Sequence, residues 1–111
     1  MRGREAAAKV CELLGNVTVE EIMGRERTFR VASARQLTMW YMVRVHKMGL
    51  SETGRELNRS HAAVINNVEM AEIMIERNRG SDTKIHDAAI ALREEAIKTF
   101  IENIKNEQDD N

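Results

Sequence analysis

The chain has 111 residues, no proline, six glycines, one cysteine and 4% aromatic residues. That length suits one domain with a modest core, and its Ala, Glu, Leu, Met, Lys and Arg favour helix while leaving little material for a twisted sheet. No apolar run approaches a membrane span and no charged-then-apolar leader opens the chain, so a cytoplasmic protein with no membrane association is expected.

Residues 4–14, "REAAAKVCELL", read as a first helix with Gly15 as its stop. The lone Cys11 cannot form an internal bridge and reads as a small buried or half-buried thiol rather than a nucleophile. "TVEE" at 18–21 is a capping box, in which Thr18 accepts from the backbone of Glu21 while Glu21 reaches back. A short second helix then covers about 19–23 and ends at Gly24. "RERTFRVAS" follows as a basic connector without apolar period.

A third helix is expected over about 33–48, with Ser33 as N-cap and Gly49 as stop, because Leu37, Trp40, Tyr41, Val45 and Met48 recur at three- and four-residue spacing. Ser51 is expected to cap a short helix to Leu57, Asn58 to turn the corner, and Ser60 to cap a long helix to about 77. Val64, Val68, Ala71 and Ile75 form the apolar stripe of that long helix, with His61, Ala62, Ile65, Asn66 and Glu69 to its sides. A last helix spans about 82–106, with Ile85, Ala89, Leu92, Ala96, Phe100 and Ile104 on one face, and the end of the chain should fray. The sum is an all-α domain of five or six helices.

The stretch 51–68, "SETGRELNRSHAAVINNV", has the grammar of a helix-turn-helix. Close approach of the two helices needs a small residue, which Gly54 supplies; the turn needs a residue that tolerates positive φ, and Asn58 is one of the few non-glycine types that does. Val64 sits where an aliphatic must plug the angle. An αα-corner without any ligand would look the same, so the charges matter. From 25 to 61 there are eight basic and three acidic residues, against six basic and eleven acidic from 62 onward, although the whole chain carries only −1. Arg59, Ser60 and His61 open the second helix, the end that meets base edges in the major groove, and an Arg there can donate two hydrogen bonds to guanine. Arg25, Arg27 and Arg30 form a second basic element able to reach the minor groove or the adjacent backbone.

With the basic loop followed by "ARQ", the L-x-x-x-G-x-x-L of the corner and the R-x-H-x-x-V of the following helix, the stretch from about 7 to 76 resembles the C-terminal DNA-binding domain of the bacterial replication initiator DnaA. The resemblance implies a Trp repressor-like helix-turn-helix fold over 1–80. The additional amphipathic helix, 81–106, has no obvious place in the family domain and is expected to cover the core or to pair two copies into a homodimer, with 107–111 a frayed tail. By position it makes Arg27 the minor-groove arginine, has Arg35 and Gln36 hold phosphates at the start of their helix, and has Arg59 and His61 read bases. The departures are Ser60 in place of an acidic residue, Ala62 and Ala63 in place of hydroxyl residues, and a corner one residue shorter at Asn58. Ala62 keeps contact with a thymine methyl, and Asn66 and Asn67 offer new polar contacts. The phosphate-cradling loop GxxxxGK[ST], which an initiator ATPase needs, does not occur in the sequence, so no nucleotide is expected.

The expectation is therefore a stand-alone protein that binds double-stranded DNA as a regulator of replication initiation or a competitor at initiator-type sites. A fold reused as a protein-interaction module is the alternative, favoured by the acidic second half. Catalysis and a metal or other cofactor are not expected: the three histidines lack metal spacing, Cys11 has no partner, and no paired-carboxylate or Gly-rich motif occurs.

Overall fold

The computed structural model describes residues 1–109, and all of its regular structure is helical. Helix α1, Gly3–Leu14, stops where Gly15 takes the left-handed backbone (φ 74°) and donates its N–H to the Cys11 carbonyl at 2.8 Å. Both halves of the Thr18–Glu21 capping box form, at 3.1 and 2.9 Å, and open α2, Val19–Met23. Helix α3 covers Phe29–Trp40 and runs into a π-helical turn, Tyr41–Val45.

The start of α3 differs from the sequence reading. Thr28 is the N-cap, five residues before the expected cap at Ser33, and Ser33 lies inside the helix with its hydroxyl donating to the Phe29 carbonyl at 2.6 Å. The first turn was hidden because Phe29 points outward, 55% exposed, and so breaks the apolar period. The end differs as well. Lys47, not Gly49, takes positive φ (59°), while Gly49 is extended and serves as N-cap of α4, Leu50–Leu57, in place of Ser51. The π turn shifts the register by one residue, which is why a uniform 3.6 period overran it.

Helix α5, His61–Arg77, begins at Ser60, whose hydroxyl accepts from the Ala63 N–H at 3.1 Å, and ends at Asn78 with positive φ. Helix α6, Asp82–Asp109, runs three residues past the expected end at 106, since neither Gly nor Pro interrupts it. The expected frayed tail is thus helical as far as Asp109, and residues 110 and 111 lie outside the described residues.

Helix α3 and the π turn form the centre, packed on α1, α2, α5 and α6. Val31, Ala34, Leu37, Met39 and Met42 are wholly buried there, with Trp40 and Tyr41 nearly so; Val45 and Met48 pack only at the edge. Each fully buried aliphatic contributes about 1.5–3 kcal/mol. From α5 come Val64, Val68, Ala71 and, one position before the expected Ile75, Met74. Helix α6 buries Ile85, Ala88, Ala89 and Leu92, and then its burial ends: Phe100 and Ile104, expected on one face with Ile85 and Leu92, are 65% and 39% exposed. At the other end of the chain, Gly3 lets α1 lie directly on α4. A Cβ there would meet the Glu56 carbonyl oxygen at 2.7 Å, and the Gly3 N–H donates to the Glu56 carboxylate at 2.7 Å. Among the described residues no helix is long and apolar enough to cross a membrane.

Candidate nucleic-acid interface

The corner between α4 and α5 is built by three residues. A Cβ on Gly54 would stand 2.5 Å from the Arg59 carbonyl oxygen and 3.6 Å from Val64, so only glycine fits the crossing. Asn58 makes the turn at φ 53°, ψ 51°, and the Arg59 N–H closes it on the Gly54 carbonyl at 2.8 Å. Val64, wholly buried, fills the angle. The N-terminal end of α5 is thereby held outward. Ser60, His61, Ala62 and Asn66 are exposed there, with Ala62 and Asn66 one turn apart on the same side. Asn67 instead bonds its own helix, donating to the Ala63 carbonyl at 2.7 Å.

The segment between α2 and α3 lies beside that end, and two arginines pin it. Arg59 donates to the carbonyls of Leu57 at 3.0 Å, Asn58 at 3.3 Å and, across the fold, Gly24. Arg35 is 6% exposed and donates from all three guanidinium nitrogens: to Ile22 at 2.8 Å, Glu26 at 2.9 Å and Glu21 at 2.8 Å, each a backbone carbonyl. These contacts correct two expectations. Arg35 is not presented to a phosphate; it is a buried clamp that satisfies two carbonyls of α2 and that of Glu26 in the segment after it. Arg59 is half-buried and fastens the basic segment to the corner, where an exposed base reader was expected. The expected place of Gln36 at a helix start also changes, because α3 begins at Phe29 and Gln36 is half-buried in its second turn. Arg25 and Arg27 are exposed on the pinned segment.

Positive charge accumulates at this place. The Arg59 guanidinium is pushed down from its ordinary value by burial and then by Arg25, and that of Arg35 by burial and then by Arg59. The neighbouring carboxylates are engaged elsewhere. Arg30 takes Glu21 at 2.6 Å and Glu26 at 3.6 Å and also donates to the Asn16 carbonyl at 2.8 Å, so Arg30 belongs to the scaffold. The Glu21 carboxyl, held by Arg30 and by the Thr18 backbone, sits at about 2. Glu56 is spent on Gly3, and Glu69 stands two turns beyond His61 on α5. Among the described residues no carboxylate forms an ion pair with Arg25, Arg27 or Arg59.

No sequence signal marked the two clamps. Their acceptors are backbone carbonyls, which every residue carries, and only the fold brings Gly24 to Arg59 across 35 positions. The half-buried Cys11 behaves as anticipated: burial pushes its thiol up, away from the reactive thiolate.

A capped helix held outward by a glycine-tight corner, with an arginine-bearing segment fastened at its start, defines a helix-turn-helix protein. The family model described as "Bacterial dnaA protein helix-turn-helix" matches residues 6–70, more than half of the chain, and the chain belongs to that family. Among characterised proteins it is similar to the chromosomal replication initiator protein DnaA of Thermosipho africanus (strain TCF52B), 29% identical over 70 residues. That match takes in 60% of this chain and spans 16% of the initiator's length. Helix α6 and the last turns of α5 lie outside the family match.

Proposed function

We propose that this chain binds duplex DNA through the face formed by the start of α5 and the segment 24–28, and acts as a stand-alone regulator or competitor at initiator-type replication sites. One observation carries the reading: Arg59 joins the start of α5 to the Gly24 carbonyl, so the groove-entering helix and the segment bearing Arg25 and Arg27 form one rigid, positive surface. The family relationship supports it. With the start of α5 in the major groove, His61, Ser60 and Asn66 supply hydrogen bonds to bases and phosphates and Ala62 touches a thymine methyl. Arg27, with Arg25 beside it, takes the minor groove or its flanking phosphates. Arg35 and Arg59 act indirectly, by holding that segment in place.

The test is fluorescence anisotropy with random-sequence duplex at two salt concentrations. With four to six phosphate contacts, log K should fall with log salt at a slope of about −4 to −5. Arg27→Ala should reduce that slope by roughly one. An affinity indifferent to salt, or absent at low salt, would sink the reading and leave the protein-interaction alternative.

A further inference from the structure

Past its middle, α6 carries large apolar side chains on the outside of the fold. The helix is fastened near its middle, where Arg93 lies over the Trp40 ring at 5.2 Å and Glu95 pairs with Lys9 at 2.6 Å. Beyond Ala96 every residue from 97 to 107 is exposed, and among them are Ile97 at 51%, Phe100 at 65%, Ile101 at 47% and Ile104 at 39%. Spacings of three and four put these on one stripe. A groove of about 690 Å³ runs along the foot of the stripe, its apolar wall made by Tyr41, Val45, Ala96 and Phe100. A few helical turns without tertiary packing are marginal in water, and contiguous exposed apolar surface of this kind marks an interaction site.

The charges beside the stripe identify the occupant. Glu94 and Lys105 lie about three turns apart and so on the same edge of the helix. They stand at equal distances on either side of the Thr99–Phe100 bond, at the middle of the stripe. Two antiparallel copies related by a two-fold axis through that point bring the same edges together. Glu94 of each then faces Lys105 of the other, on both sides of the axis. A parallel two-fold pair would instead bring opposite edges together and leave Glu94 away from Lys105 of the partner copy. We infer that the end of α6 is a self-complementary docking surface for a second copy of this chain, paired antiparallel about residues 99–100, with Phe100 of each copy seated toward the groove of the other. This deepens the homodimer expectation and does not depend on DNA binding.

Sedimentation equilibrium on the full chain without DNA tests it, with circular dichroism to check folding. The parent should be a concentration-dependent dimer, and Ile101→Glu, at an exposed position that leaves the fold alone, should be monomeric while the rest of the domain keeps its cooperative unfolding. Glu94→Lys and Lys105→Glu should each weaken the dimer by about three- to tenfold, and the double variant should regain the parent's affinity. A parent that stays monomeric across the accessible concentration range overturns the proposal. A dimer whose two charge reversals do not rescue each other overturns the antiparallel pairing.

Discussion

Arg35 illustrates how one residue's role depends on what surrounds its donors. As a surface phosphate ligand it would be dispensable to stability, since exposed substitutions stay within about 0.5 kcal/mol. As a buried guanidinium bonded to three carbonyls it is not, and lysine cannot reproduce the planar fork. Arg35→Lys should therefore cost about 1–3 kcal/mol in urea denaturation without any DNA present. Glu21 provides a pH counterpart. Its folded value, about 2, lies below its ordinary 4.5, because Arg30 and the Thr18 backbone both favour the charged form. A depressed carboxylate contributes stability that is complete above 4.5 and is lost as pH falls toward 2. An Arg30→Met variant, monitored by denaturation across this window, should show a shallower decline than the parent.

Among the elements, the corner is the part whose chemistry was legible from sequence. Gly54, Asn58 and Val64 announce a close approach, a left-handed turn and a plug, and each does that in the fold. Because the space at Gly54 is bounded by the Arg59 backbone rather than by a movable side chain, Gly54→Ala should destabilise by about 1–3 kcal/mol. Thermal unfolding would measure it, and a neutral outcome would mean α4 and α5 can part without loss. Helix α3 was the harder element. An outward Phe29 concealed its first turn and a π turn cut short its last, so its core stripe was recognisable but its limits were not.

At the scale of the whole molecule, packing ends well before α6 does. The buried cluster closes with Leu92, and the fastening contacts lie at Arg93 and Glu95. Removing residues 97–111 should therefore leave unfolding in dilute solution almost unchanged, while deleting the residues on which self-association is proposed to depend. A large loss of stability at concentrations where the chain is monomeric would show that the end of α6 supports the fold directly. The amphipathic pattern of α6 was plain in the sequence, but periodicity cannot say where along a helix the neighbouring helices run out.

What this sequence determined alone is local: the caps at Thr18 and Ser60, the stops at Gly15 and Asn58, the apolar stripes, and with them an all-α fold and the helix-turn-helix corner. These rest on interactions between residues a few positions apart, and such spacing is written in the chain. Tertiary structure decided which arginines serve the scaffold and which face outward. Arg35 and Arg59 turn inward to carbonyls on another part of the chain while Arg25 and Arg27 remain exposed. A guanidinium takes whichever acceptors the fold brings within about 3 Å, and backbone carbonyls carry no side-chain signature by which sequence could identify them.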